Sequence, residues 1–299
     1  MATSSHVFFD GDVPLAARMH READDLYERQ PAVIVMGSWL TVKEQMADGY
    51  AAALARRGYT AFSFDFAGFG ASGGELRQTE MPTRKIANIA AAVRYVSSLS
   101  FVAPGGPAVV AVCASAQYAL AALGQGVPVA SFASVAGWFH DQASLAGFYG
   151  GAAGVRARLE RASVATEEYL HTRQLRTVPA YAPGDERAGM FFELDYYGNA
   201  ARGRVPEWRN EMTELTWAHW LTFDGLGAAR PVAVPSLFVH GDGCVFPENV
   251  RTIAKRLTGP VEIAWGDGTQ TDFYDRPAQM SFALDAIDHH FRDTLAPDE

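Results

Sequence analysis

Apolar positions along the chain fall into two recurring patterns. Short unbroken apolar runs are bounded by Gly or Pro, as in AVIVM at 32–36, AVVAV at 108–112 and SLFVH at 236–240. Runs of this length without polar alternation predict strands buried on both faces. Between them, apolar residues recur three or four positions apart: Met46, Tyr50 and Leu54; Ile86, Ile89, Val93 and Val96; Met280, Leu284, Ile287 and Phe291. That spacing predicts helices over 43–57, 83–99 and 278–291, with Gly58 capping the first. Further strands are predicted at 59–66, 129–135 and 261–265, and a helix at 247–257. Residues 6–9 and 13–18 flank the pair Asp10-Gly11 and predict a hairpin, with Pro14 weakening its second strand.

The alternation stops between 142 and 229. That stretch is rich in Arg, Glu and aromatics, among them Tyr149, Tyr169, Tyr196, Tyr197, Trp208, Trp217 and Trp220, and it predicts a mainly helical insertion. The expected organisation is a core over 1–141, a cap over 142–229 and the rest of the core over 230–299. The fold class is α/β, a mostly parallel sheet with helices on both faces. In such sheets ligands bind at the carboxyl ends of the strands. The loops at 37–39, 65–74, 113, 137–141, 240–244 and 266–275 all fall there and are expected to meet in one cavity.

Composition narrows the choice of partner. The chain has 299 residues, 48% hydrophobic and 20% charged, as in ordinary soluble globular proteins. A net charge of -9 argues against nucleic acid or an anionic membrane surface as the main partner. No apolar run approaches the roughly 20 residues of a membrane helix. Residues 1–13 lack the pattern of a secretion leader. The two cysteines, Cys113 and Cys244, are too few for a disulfide scaffold and fit a reducing cytoplasm. There is no clustered His/Cys spacing and no phosphate-binding glycine motif, so neither a metal nor a cofactor is expected. The expected partner is a small-molecule substrate, and a homodimer is compatible with the sequence.

The strongest local feature is Ala111-Val112-Cys113-Ala114-Ser115. A β-branched strand stops at Cys113, small residues follow, and a helical run begins. That is the layout of a nucleophile elbow. A thiol there sits at a helix N-terminus, which favours its anion. With GSWLTVKEQM at 37–46, FDFAGFGASGGELRQTE at 64–80, VCASAQY at 112–118 and QTDFYD at 270–275, the chain resembles the α/β-hydrolases. More narrowly it is similar to a dienelactone-hydrolase-like group that includes the fungal polyketide transferases.

The resemblance implies an α/β-hydrolase fold with an inserted cap. It also implies an oxyanion hole built from the N–H groups of Ala114 and Trp39, with Ser38 as a further candidate. It places the family's acid slot on Cys244, leaving Asp242 as the nearest carboxylate. The family's histidine position falls on Gln270, whose amide cannot accept a proton at neutral pH. His140, beside Asp141 after a strand end, is the candidate replacement base. Trp138, Phe66, Glu80, Asp272 and Tyr274 are candidate substrate contacts. The expected activity is ester or thioester hydrolysis, or acyl transfer, centred on Cys113 and acting on a bulky apolar or aromatic, polyketide-like carbonyl compound. The alternatives are a non-hydrolytic enzyme (cyclisation, elimination, rearrangement or hydration) and a non-catalytic binding protein. The neighbours of the Cys113 sulfur discriminate: a histidine favours acyl chemistry, and its absence favours a repurposed cavity.

Overall fold

The computed structural model describes residues 3–22 and 27–295. The chain opens with the hairpin β1 (Thr3–Asp10) and β2 (Pro14–Arg21), paired in antiparallel register from Asp10 opposite Pro14 to Thr3 opposite Arg21. Pro14 is tolerated because it is the first residue of its strand. Strand–helix units follow: β3 (Ala32–Met36), α1 (Met46–Ala55), β4 (Thr60–Phe64), α2 (Pro82–Ser97), β5 (Ala108–Val112), α3 (Ser115–Gly124) and β6 (Ser131–Val135). The next segment carries α4 (Gln142–Phe148), α5 (Gly151–Thr172), β7 (Thr177–Val178), α6 (Asp195–Gly198), β8 (Met212–Thr213), α7 (Thr216–Thr222) and α8 (Gly225–Ala228). The sheet then resumes with β9 (Ser236–His240), α9 (Pro247–Ala254), β10 (Val261–Trp265), α10 (Asp272–Asp275) and α11 (Pro277–Thr294).

The eight-stranded sheet has the order β1-β2-β4-β3-β5-β6-β9-β10. β1 and β2 run antiparallel to their neighbours, and every later pair is parallel. All five positions of β3, β4, β5, β6 and β9 are buried. Helices covering both faces explain why these strands read as unbroken apolar runs. The expected doubly covered, mostly parallel sheet is therefore what the chain forms.

Two departures from expectation have local reasons. α1 starts three residues late. The N–H groups of Val42 and Lys43 are taken by Gln45 Oε1 at 3.0 Å and Asp65 Oδ1 at 2.7 Å, which fixes a turn before the helix. The segment between β6 and β9 is also less helical than its composition suggested. α5 is its one long helix among the described residues, and 173–215 holds only short elements, including the β7–β8 pair. Pro179, Pro183 and Pro206, with Gly184, Gly189, Gly198 and Gly203, break helical continuity there.

At the carboxyl edge of the sheet, Asp65 clamps two loops together. Its carboxylate accepts from Lys43 N–H and Lys43 Nζ, each at 2.7 Å, and from Ala71 N–H at 2.9 Å. Gly70 gives the carboxylate room, since a Cβ there would meet Asp65 Oδ2 at 2.2 Å. Removing Asp65 leaves the buried Lys43 ammonium with Glu44 alone, 2.6 Å away, and leaves the Lys43 and Ala71 N–H groups without their acceptor. Asp65→Ala is expected to lower unfolding free energy by about 3 kcal/mol, read as a shift in the urea midpoint. An unchanged midpoint would mean that the loops do not depend on this carboxylate.

Candidate active site

The turn from β5 into α3 places Cys113 at φ 57°, in the left-handed region. A non-glycine residue there costs roughly 1–3 kcal/mol and persists only if its surroundings hold it. They do. Cys113 N–H donates to Val135 O at 3.0 Å, and its carbonyl accepts from Ala116 N–H at 3.1 Å and Trp138 N–H at 2.9 Å. Ala114, Ser115 and Ala116 are fully buried, so larger residues would not fit. Ser115 turns its hydroxyl back onto Val112 O at 3.0 Å and so stays out of the site. The strand–turn–helix layout leaves the thiol facing a cavity at the carboxyl edge.

The groups that reach the sulfur are the Ser38 and Tyr274 hydroxyls, the Gln270 amide and Ala114 N–H. The direction of each bond is set by fixed backbone groups. Gln270 Oε1 accepts from Val245 N–H at 3.1 Å, and Gln270 Nε2 donates to Ala136 O at 2.7 Å. A backbone donor on one side and a backbone acceptor on the other settle which way the amide faces. Its Nε2 therefore donates to Tyr274 Oη at 3.2 Å. Tyr274 then has one hydrogen left to give, to Ser38 Oγ at 3.4 Å, to the sulfur or to the Tyr197 hydroxyl. Burial keeps the Tyr274 phenol protonated, well above its ordinary 10.0. The sulfur thus has no neighbour that takes a proton near neutral pH. Burial also pushes the thiol above its ordinary 9.0 despite those four hydrogen bonds.

The cavity has about 60 Å³ of room for the centres of water molecules, a handful of waters. Its walls include Trp39, Trp138, Tyr149, Met190, Phe192 and Trp220, and no lining residue is charged. Aromatic rings pack together along this wall: Phe148 lies 5.1 Å from Phe192, 5.1 Å from Trp138 and 6.0 Å from Phe246 between centroids.

Of the candidate residues, Cys113, Ser38, Trp39, Trp138, Gln270 and Tyr274 line this one cavity, and Ala114 donates its N–H to the sulfur. Five others are corrected. His140 is fully buried away from the cavity lining: Nδ1 accepts from Trp138 Nε1 at 2.8 Å, and Nε2 faces Trp220 O at 3.2 Å. Both nitrogens are occupied, so it cannot serve Cys113 as a base. Asp242 is 77% exposed and ion-paired with Arg251 at 3.1 Å, because its loop turns it outward. Asp272 is tied up locally, accepting from Thr269 N–H and Oγ1 at 2.8 and 2.7 Å. Phe66 packs on Phe64, with Lys85 Nζ 4.6 Å from its ring centre, outside the lining.

Glu80, the fifth, lies behind the cavity. It accepts from Leu40 N–H at 3.2 Å, Lys85 Nζ at 2.8 Å and Tyr118 Oη at 2.8 Å. It therefore supports the 38–40 loop and leaves ligand contact to other residues. Cys244, in the family's acid slot, is buried with its thiol pushed up to about 12. Sequence reasoning also missed Val245, which orients Gln270, and Tyr197, whose hydroxyl donates to Ser38 Oγ at 3.3 Å. Tyr197 lay in plain view among the aromatics of the insertion, but no spacing set it apart from them.

No protein-family model matches the chain. It is 25% identical over 268 residues to the uncharacterized protein YcjY of Escherichia coli K12, covering 85% of each chain. It superposes on hypothetical protein PA2218 of Pseudomonas aeruginosa with a TM-score of 0.84, at 22% identity over 98% of this chain and 94% of that one. Alpha/beta hydrolase GrgF of Penicillium sp. sh18 superposes with a TM-score of 0.80, at 19% identity over 98% and 99% of the two chains. The chain has the α/β-hydrolase fold. Among the described residues, no helix is long and apolar enough to cross a membrane, and no group of three His, Cys, Asp or Glu is placed to hold a metal ion.

Burial pushes the His140 imidazole down to about 4 from its ordinary 6.5. The unfolded chain therefore binds this proton first, so the contribution is full above about pH 6.5 and shrinks as pH falls toward 4. Replacing His140 by Gln should remove about 2–3 kcal/mol of the stability difference between about pH 7 and about pH 4.5. Urea unfolding of both proteins at the two pH values measures it. An identical pH dependence would show that His140 is not buried neutral.

Proposed function

We propose that the chain is an enzyme that polarises the carbonyl of an uncharged, largely apolar substrate inside a hydrolase-fold cavity, without hydrolysing it. One observation carries this reading: none of the groups around Cys113, the Ser38 and Tyr274 hydroxyls, the Gln270 amide and Ala114 N–H, can take a proton near neutral pH. Hydrolysis and acyl transfer need a group that removes a proton from the thiol or from water. The usual histidine is replaced by Gln270, and His140 is tied up elsewhere.

Donors without a base still do chemistry. A carbonyl oxygen seated beside the elbow would receive Ala114 N–H, the Ser38 hydroxyl and Trp39 N–H, which has no backbone acceptor among the described residues. Preorganised donors of this kind are worth about 3–4 kcal/mol each when negative charge develops on oxygen. The reactions served are those in which the substrate brings its own nucleophile or acidic hydrogen: cyclisation, rearrangement or elimination. An uncharged substrate follows from the uncharged lining, because a buried, unpaired charge costs several kcal/mol. A polyketide-like body of several rings exceeds the cavity's volume, so binding it requires the surrounding aromatic side chains, Phe148 and Phe192 among them, to move.

The competing reading is acyl chemistry at Cys113, favoured by its place at the start of α3 and by the Ala114 N–H bond. Intact-mass measurement after incubation with p-nitrophenyl esters and N-acetylcysteamine thioesters separates the two. The wild-type protein should show no acyl adduct at about pH 7.5. Gln270→His, which restores an imidazole to the family's slot, should acylate on Cys113 roughly 100-fold faster. A wild-type protein that acylates as fast as the variant would overturn the proposal.

A further inference from the structure

Tyr197 lies on α6, in the segment between β6 and β9, yet its hydroxyl reaches the group beside the sulfur. It is 2% exposed and donates to Ser38 Oγ at 3.3 Å. Its ring is boxed in by Tyr196 at 5.1 Å, Trp208 at 5.6 Å and Tyr181 at 6.0 Å between centroids. The same segment is fastened to the 38–45 loop by Trp208 Nε1 donating to Leu40 O at 2.8 Å and Gln45 Nε2 donating to Gly203 O at 2.6 Å. Tyr197 therefore has little freedom to turn away.

The consequence lies in the bookkeeping of one hydroxyl. Ser38 Oγ carries one hydrogen and two lone pairs. Tyr197 fills one lone pair, and Tyr274, already an acceptor from Gln270, faces the other at 3.4 Å. The single Ser38 hydrogen is then left for the position at the Cys113 sulfur, which has Ser38 among its hydrogen-bond partners. Without Tyr197, the hydroxyl could rotate and give its hydrogen away from the site.

We infer that Tyr197 is a positioning residue: it locks Ser38 as a donor toward the elbow and so links the seating of the inserted segment to the strength of the oxyanion site. This rests on the base-free reading of the cavity. Burial holds the Tyr197 phenol protonated, above its ordinary 10.0, so it stays a donor at any working pH. Its action passes through Ser38, and no substrate proton is taken.

The test reads the thiol itself. Cys113 alkylation by iodoacetamide is followed by peptide mass spectrometry from about pH 7 to about pH 11, for wild type, Tyr197→Phe, Ser38→Ala and the double variant. The midpoint reports the thiol, and the high-pH plateau reports access to it. Tyr197→Phe should raise the Cys113 midpoint by roughly 0.5–1 pH unit, the size expected for one hydrogen bond. That is roughly threefold to tenfold slower alkylation at a fixed pH below the midpoint. Ser38→Ala should give a similar shift, and the double variant should add nothing further. Alkylation of Cys244 should be the same in every variant at each pH, and a Tyr181→Phe control should keep the Cys113 midpoint. An unmoved Cys113 midpoint in a folded Tyr197→Phe protein, or additive shifts in the double variant, would overturn the inference. Neither result depends on the ester assay, so the Tyr197 role and the non-hydrolytic reading fail separately.

Discussion

The turn at Cys113 is the constraint on which the site depends. A non-glycine residue at φ 57° is held only because β6 grips it from the side: Val135 O takes its N–H, and Trp138 N–H takes its carbonyl. Both bonds require β5 and β6 to be adjacent and parallel, with β9 pairing beyond them. The sheet order is thus part of the site. It sets the distance between the elbow and the loops that follow β3, β6, β9 and β10, which bring Ser38, Trp138, Val245 and Gln270 to one cavity.

Given that frame, the character of the site follows from the facing of one amide. Val245 N–H and Ala136 O cannot exchange roles, so Gln270 must present Nε2 to Tyr274. Tyr274 is thereby an acceptor from the amide, with its own hydrogen free for Ser38, Tyr197 or the sulfur. An imidazole at this position could give or take a proton, whereas the amide only donates. On the proposed reading, this one residue separates a site that can activate a nucleophile from one that only binds negative charge. Behind it, Glu80, Lys85 and Tyr118 form a buried, mutually paired cluster that braces Leu40. Its charges balance within the cluster, so the loop is supported without placing a net charge beside the cavity.

Much of this was legible in the sequence because it is local. Five-residue apolar runs marked the buried strands, and the small residues around Cys113 marked the elbow before any contact was known. The Gln270 substitution was readable from the resemblance, and it carried the warning that the base was missing. Residues whose role depends on tertiary direction were not legible. His140 has the right residue type at a strand end, but the fold turns both its nitrogens onto Trp138 and Trp220. Glu80 sits in a glycine-rich loop at the sheet edge, yet it faces backward into the core. Tyr197 is one aromatic among many in an insertion whose prolines and glycines leave no period to read.

The cysteine at the elbow is consistent with this reading. A thiol with donors but no base beside it, held above its ordinary pKa by burial, is a weak nucleophile at neutral pH. The same donors compete well for a stronger acceptor. A carbonyl oxygen that gains charge during reaction accepts hydrogen bonds better than a neutral sulfur does. Bringing it beside the elbow would transfer the Ser38 and Ala114 bonds from sulfur to oxygen, with little rearrangement of the protein. On the proposed reading, the features that weaken Cys113 as an attacking group are those that preorganise the cavity for an oxyanion, so an elbow without a base would keep that half of the chemistry.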